Sequence, residues 1–244
     1  MSSRDASRFS ILPATVADAE AMLECIDISF ADDLFRKAAM PKSGEHLTPH
    51  DELRAWRLRN LRKRLSAPDK VLLKAVFATQ PDKMIGFADL QKPPLPKDEA
   101  DQSAAAMIQA DPEPAQTDSI AEVASAPHGL PTCFDPELND EMNDHLESWQ
   151  SKIWEDDEQY WSLEKLGVLP AFRRLGVAKF LLDECLARVD TDGLPMYLEA
   201  LPGSAPMYVK YGFEEQGSFT MLDGEYTVTL MVRRPRTLSQ RCRN

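Results

Sequence analysis

The chain has 244 residues, of which 43% are hydrophobic, and a formal net charge of -12. This length and apolar content are sufficient for a full-sized core and favour one domain, or one domain with insertions. We find no apolar run long enough to span a membrane and no signal-peptide pattern, so we expect no membrane partner and a cytoplasmic protein, with a nuclear location still open.

The N-terminal third shows alternating helix and strand patterns. Hydrophobic periodicity predicts a strand over 9–14, a helix over 15–30 that Thr15 caps, and a second helix over 51–66 with apolar residues inward and arginines outward. Two strands over 70–79 and 83–91 are predicted to form a hairpin.

The negative charge is concentrated in one segment. Residues 91–160 contain 17 Asp and Glu against 3 Lys, a net charge of −14, which leaves +2 for the rest of the chain. The part over about 93–130 is rich in Pro, Ala, Asp and Glu, so we predict a mobile acidic insertion there, followed by a helix over 136–155. Because phosphate binding requires a basic surface, we expect no nucleic-acid partner.

The C-terminal third contains a strand-helix-strand unit and a final hairpin. Strands are predicted over 160–168, 195–200, 213–221 and 226–234, with helices over 175–189 and 204–211. The pattern is typical of a mixed α+β fold. The four cysteines and four histidines lack metal-ligand spacing, except for His46 and His50, which we interpret as surface residues of a loop, so no metal is expected.

The turn before the helix over 175–189 has the features of an anion site. A helix N-terminus presents free N–H groups and a partial positive charge, both of which attract phosphate. Gly176 allows the close approach of a pyrophosphate, and Ala178 is the next smallest residue. Arg173 and Arg174 bring positive charge to the same turn.

Two segments, "LEKLGVLPAFRRLGVAKFLL" and "PMYVKYGFEEQG", resemble the GNAT superfamily of N-acetyltransferases. The family's acetyl-CoA signature falls on Arg173, Gly176 and Ala178, and its second signature on Tyr208, Gly212 and Phe213. One position departs from the pattern, because many members have an asparagine seven residues before the tyrosine and this chain has Leu201.

The resemblance implies one GNAT domain over residues 1–244, interrupted by the insertion. Its central sheet is mostly antiparallel, its parallel fourth and fifth strands splay apart, and helices cover both faces. Acetyl-CoA is the implied cosubstrate. Its pantetheine arm would pair with the main chain of Leu166, Gly167 and Val168. Its pyrophosphate would lie on the turn formed by Arg173, Arg174, Leu175, Gly176, Val177, Ala178 and Lys179. The alternative for Gly167 is a simple bulge.

The resemblance also implies an enzyme that acetylates a primary amine by direct attack in a ternary complex, as a monomer or a homodimer. Tyr208 is the candidate acid for the leaving thiolate, or else a packing residue. Glu164 and Glu199 are candidate bases, and alternation alone does not decide which of them faces the splay. The acidic run over 154–161 is a candidate attractor of a cationic amine. The alternative function is a non-catalytic GNAT-fold regulator that contacts a basic partner through its acidic insertion.

Overall fold

The computed structural model describes residues 8–40, 50–94, 134–155 and 158–235. These residues form a seven-stranded sheet in the order β1-β2-β3-β4-β5-β7-β6. The strands are β1 Phe9–Pro13, β2 Lys70–Phe77, β3 Gln80–Gln91, β4 Trp161–Val168, β5 Met196–Ala200, β6 Glu214–Met221 and β7 Tyr226–Arg233. Every neighbouring pair is antiparallel except β4 and β5, which are parallel. The predicted sheet topology is therefore confirmed.

Helices cover both faces of this sheet, as predicted. They are α1 Ala19–Ser29, α2 Leu34–Ala39, α3 His50–Ser66, α4 Pro136–Ile153, α5 Val177–Asp192 and α6 Ala205–Val209. One face packs on α5, and the opposite face packs on α1 and α3 at one end and on α4 at the other. No helix within the described ranges is both long and apolar enough to cross a bilayer.

Strand alternation assigns the side chains of β5 to these two faces. Met196, Leu198 and Ala200 belong to the core beneath α5, whereas Tyr197 belongs to the core beneath α4. Because successive strand residues point to opposite faces, Glu199 lies on the same face as Tyr197. This face also carries α1 and α3, so Glu199 is directed toward the space between the two groups of helices.

Helix α4 is held against the sheet by an aromatic contact. The ring of Trp149 lies on Gly217 of β6, where a Cβ atom would come within 2.3 Å of Cη2 of the ring. Apolar residues of α4, including Leu138 and Met142, pack on the core formed by β5, β6 and β7. The helix predicted over 136–155 is confirmed, whereas the proposed mobile segment over about 93–130 lies, from residue 95 on, outside the described residues.

Several local predictions need correction. The first helix begins with a 3-10 turn over Val16–Asp18 and continues as α1 from Ala19; Thr15 is the N-cap of this turn, so the predicted cap is confirmed. Helix α2 was not predicted, because its six residues are too few to show a period. The arginines of α3 do not all point outward: Arg57 is bound to Asp27, and Arg64 is bound to the buried Asp89.

The predicted helix over 175–189 is displaced by two or three residues. It begins at Val177 and ends at Asp192, between Gly176 and Gly193, and both of these glycines adopt left-handed backbone angles. Such angles are accessible to glycine and end a helix. Cys25 and Cys185 are buried free thiols, and burial raises their pKa values to about 11 and about 12.

Candidate active site

Strands β4 and β5 separate after three residue pairs. They pair at Trp161–Met196, Ser162–Tyr197 and Leu163–Leu198, and the remainder of β4 has no partner on β5. A cavity of about 970 Å³ opens where they part. Its walls come from β4, from α1 and the loop after it, from α4, and from α6. The predicted splay is therefore present, and it leaves one edge of β4 free to pair with a bound chain.

The turn after β4 places one end of α5 at this cavity. Pro170–Phe172 form a 3-10 turn, and the backbone then takes left-handed angles at Arg174 (φ 65) and Gly176 (φ 86). The first internal bond of α5 runs from the Phe180 N–H to the Gly176 carbonyl. The amides of residues 177–179 come before that bond, so they have no acceptor inside the helix and remain available to an anion.

The predicted cofactor residues fall into two groups. Those that line the cavity are Leu166, Gly167, Val168, Arg173 and Ala178. The others surround the turn. Leu175 is exposed, Val177 is buried in the core, and Lys179 is paired with Asp183. For Val177 and Lys179, the main-chain amide rather than the side chain is therefore the group that can contact a ligand.

Arg173 ties the turn to two other elements. Its guanidinium donates to the Val168 carbonyl at 3.2 Å and to the Ser29 carbonyl, at the end of α1, at 2.9 Å. Both acceptors are neutral, so the positive charge of Arg173 is not cancelled by these contacts. The side chain therefore orders the mouth of the cavity and still leaves a cation there.

Gly167 is required by a side chain of the protein itself. A Cβ atom at this position would lie 2.4 Å from Cε1 of Phe87 on β3. The bulge considered for Gly167 is elsewhere, since the β3–β4 register shifts between Asp89 and Leu90. The ring of Phe87 thus accounts for the glycine without any ligand.

That register shift leaves Glu164 of β4 without an opposite residue on β3, next to Lys165. Asp89 pairs with Lys165 and Leu90 pairs with Leu163, so Glu164 is the extra residue of a β-bulge. Glu164 and Lys165 both line the cavity. The Glu164 carboxylate is 3.9 Å from the Arg64 guanidinium.

Glu199 lines the same cavity from β5 and accepts a hydrogen bond of 3.2 Å from the Tyr197 hydroxyl. Burial raises the pKa of this carboxyl, and the charge of Glu164 raises it further, while the Tyr197 hydrogen bond and the charge of Lys165 lower it. The net effect is an increase. Both candidate bases therefore face the splay, and burial makes the carboxylate of Glu199 more basic than an ordinary glutamate.

Tyr208 lies on α6 with its side chain 8% exposed, and it lines the cavity. Its ring packs edge-on against Phe213 at 5.7 Å between centroids. Burial, with a smaller contribution from nearby Cys185, raises the pKa of the hydroxyl to about 12. Tyr208 is therefore protonated at neutral pH and able to donate. Leu201, at the position of the family's asparagine, also lines the cavity.

Other wall residues were not predicted from the sequence. Met142 and Leu146 of α4, which lies in the long connection between β3 and β4, reach the cavity. Asp33 accepts a 3.0 Å hydrogen bond from the Tyr226 hydroxyl and caps α2. Arg36 and Arg57 also line the cavity, and both are bound to Asp27. None of these residues belongs to a short motif, so no local signal identifies them.

Part of the acidic run over 154–161 makes contacts within the protein. Trp154 stacks on Tyr160 with centroids 4.0 Å apart, and Glu158 is paired with Arg234 at 2.5 Å. Residues 156 and 157 lie outside the described residues. Across the part of the chain that the structure describes, no group of three or more His, Cys, Asp or Glu side chains is placed to hold a metal ion.

Comparison with known proteins agrees with this geometry. A family model for the acetyltransferase (GNAT) family matches residues 33–213. Among curated proteins, none matches the chain. A solved structure from Corynebacterium glutamicum, described as histone acetyltransferase HPA2 and related acetyltransferase, is 17% identical, with 94% of this chain and 98% of that chain covered and a TM-score of 0.58.

Two further solved structures are similar at a TM-score of 0.50. Arabidopsis thaliana NAA60 in complex with a bisubstrate analogue is 14% identical, with 93% of this chain and 98% of that chain covered. An acetyltransferase of the GNAT family from Streptococcus pneumoniae is 14% identical, with 93% and 99% covered. At these identities the structures show a shared fold. The family match spans most of the chain, so this protein belongs to the acetyltransferase (GNAT) family, a family of acyl-transferring enzymes.

Proposed function

We propose that this protein transfers an acetyl group from acetyl-CoA to a primary amine, by direct attack within a ternary complex. The observation that supports this most strongly is the continuity of one cavity. It reaches from the turn at the N-terminus of α5, past the free edge of β4, to Glu199 and Tyr208. A donor with a phosphate at one end and an acyl group at the other fits such a path.

The residues present suit the pyrophosphate and pantetheine parts of acetyl-CoA. The unpaired amides of residues 177–179 and the cation of Arg173 suit a pyrophosphate. Gly176 adds no side chain, and the nearest atom to a Cβ built there is 3.8 Å away, so the turn is open on that side. The unpaired edge at Leu166, Gly167 and Val168 offers main-chain groups to the pantetheine amides.

Acetyl-CoA would supply the activated acetyl group as a thioester. The protein's part is then to remove a proton from the amine and to return one to the thiolate. We assign the first step to Glu199, because burial raises its pKa and thereby its basicity. Glu164, on the facing strand, would help attract the ammonium form of the acceptor.

The second step is assigned to Tyr208. Its pKa of about 12 keeps the hydroxyl protonated, so it can donate to a developing thiolate. Because the Tyr208 side chain lies in the cavity wall, this proton is held away from bulk solvent. At neutral pH almost no tyrosinate is present to accept a proton, which separates the role of Tyr208 from that of Glu199.

The chain would act as one acetyltransferase domain with an insertion over about 93–155. Strands β3 and β4 are hydrogen-bonded neighbours, although β3 ends at Gln91 and β4 begins at Trp161. The intervening residues include α4, which lies on the far half of the same sheet and reaches the cavity. The insertion would therefore shape the acceptor end of the site.

The test is acetyl-CoA binding by isothermal calorimetry to the Gly176→Glu variant. We expect loss of measurable binding, because the added carboxylate occupies the turn and repels phosphate. Gly193→Glu is the matched control, since Gly193 lies at the other end of α5 with a similar left-handed φ of 69. Unchanged affinity in the Gly176 variant would overturn the assignment of the turn.

Turnover is tested by a thiol-release assay against a panel of primary amines, polyamines and lysine peptides. We expect acetyl-CoA-dependent release with at least one amine, and none from Gly176→Glu. Binding of acetyl-CoA without release for any amine would contradict the catalytic proposal.

A further inference from the structure

Lys165 stands at the centre of the candidate site without a role in the reaction described above. It follows the bulged Glu164 on β4, and it lines the cavity beside Leu166, where the free strand edge begins. Its charge reaches across the splay, because Lys165 is among the groups that lower the pKa of Glu199. Lys165 and Glu199 therefore line the same cavity, close enough for the charge of one to act on the other.

Lys165 has no carboxylate partner at ion-pair distance among the described residues. The acid opposite it in the strand register is Asp89, and Arg64 occupies that carboxylate with two hydrogen bonds of 2.9 Å. Asp89 is 3% exposed, so it offers no further open side. Because the Arg64 guanidinium binds both oxygens of Asp89, the carboxylate opposite Lys165 in the strand register is already occupied.

The surroundings also favour the neutral amine. The Lys165 side chain is exposed and opens into the cavity, yet the protein atoms around it partly desolvate the ammonium group, and this desolvation lowers its pKa. The charges of Arg64 and Lys70 act in the same direction, whereas those of Asp89 and Glu164 oppose it without reversing the shift. Lys179, near the phosphate turn, shows the opposite behaviour, because Asp183 raises its pKa.

We propose that Lys165 is itself an acetyl acceptor and that the protein acetylates this side chain in cis. The inference depends on the proposed function, since the donor is acetyl-CoA bound along the free edge of β4. The position of Lys165, next to the residues that would pair with the pantetheine arm, places its amine at the acyl end of that path. A second protein molecule is not required.

The reaction is balanced with acetyl-CoA as the co-reactant. The Lys165 ammonium first gives a proton to Glu199. The neutral Nζ then forms a bond to the thioester carbonyl carbon, and the carbon–sulfur bond breaks. The departing thiolate takes a proton from Tyr208, and the second proton lost by Nζ restores that hydroxyl through the cavity. The products are N-acetyl-Lys165 and free coenzyme A.

Acetylation would change the site that performs it. The amide is uncharged, so one of the charges that lower the pKa of Glu199 disappears. The added acetyl group also occupies space where an external amine would enter. The modification would therefore inhibit the enzyme when the concentration of acceptor amine is low.

The experiment is peptide mapping by mass spectrometry after the full chain is incubated with saturating acetyl-CoA and no amine. We expect one acetyl group on Lys165, formed at least about tenfold faster than on Lys179. A thioester held next to the amine reacts much more than tenfold faster than one that must diffuse to it. The rate constant should not depend on protein concentration. Lys165→Arg, which keeps the charge, and Gly176→Glu should both lack this acetylated peptide.

Each contrary result has a definite meaning. Equal rates at Lys165 and Lys179, or a rate constant that rises with protein concentration, would overturn acetylation in cis. An unmodified Lys165 in protein that binds acetyl-CoA and acetylates a panel amine would overturn this inference alone. Absence of acetyl-CoA binding would overturn the inference together with the proposed function.

Discussion

Replacing Arg64 by methionine should lower the free energy of unfolding by about 3 kcal/mol, because it leaves a buried carboxylate without its partner. Arg64 donates to both oxygens of Asp89 at 2.9 Å, and Asp89 is 3% exposed. Methionine keeps the apolar stem of the arginine, so the change isolates the lost charge and hydrogen bonds.

The magnitude depends on whether another cation can take over. Breaking a buried pair costs about 3–5 kcal/mol. Lys165 lies opposite Asp89 in the strand register and can compensate in part, so we expect the lower end of that range. In the double variant with Arg64→Met and Lys165→Met, this compensation is gone, so the free energy of unfolding should fall further, toward the upper end of that range. Asp89→Asn in the same background should recover stability, since it removes the unpaired charge.

The assay is urea unfolding at neutral pH followed by circular dichroism, with Arg54→Met as the control. Arg54 also lies on α3 and pairs with Glu20, but the two side chains are 44% and 53% exposed. Exposed pairs contribute at most about 1 kcal/mol. If Arg64→Met lost no more stability than Arg54→Met, the conclusion that the buried Asp89 carboxylate needs Arg64 as its partner would be wrong.

Two further predictions concern the candidate acid and base. Glu199→Gln should raise the melting temperature at about pH 7. Burial raises the pKa of Glu199, so the folded state binds the proton more tightly than the unfolded state does, and the carboxylate charge destabilises the fold at higher pH. Below the ordinary pKa of 4.5 the group is protonated in both states, and the substitution should not raise the melting temperature there. It should also reduce turnover, and a lower melting temperature at about pH 7 would contradict the sign of the shift. Tyr208→Phe should reduce turnover by about 10²-fold with acetyl-CoA affinity unchanged by calorimetry, because the lost group is a proton donor. Equal turnover would return Tyr208 to a packing role.

Much of the fold could be predicted because its signals are local. Period-2 and period-3.6 patterns identified all seven strands and the longer helices, and their bounds differ from the structure by a few residues at most. The six-residue α2 gave no such signal. The motif over 173–178 also depends on neighbours along the chain, so the turn and its left-handed Gly176 follow from a short stretch of sequence.

The charged residues around the splay could not be predicted in the same way. A helix pattern marked the arginines of α3 as solvent-facing, yet Arg64 is bound to an acid 25 residues away. Glu164 and Glu199 were ambiguous because strand alternation gives no absolute register. A one-residue bulge on β4 decided where Glu164 and Lys165 point.

The sequence by itself determined the order of strands and helices, the glycine-containing turn before α5 and the family, since each depends on residues close together along the chain. Only the tertiary structure decided that Arg64 takes Asp89 away from Lys165, that Phe87 requires Gly167, and that α4 crosses to the far half of the sheet. These relations join residues distant in sequence. They are set by how the strands pair and by which side chains that pairing buries. The hydrophobic periodicity of a single segment carries no information about its pairing partner.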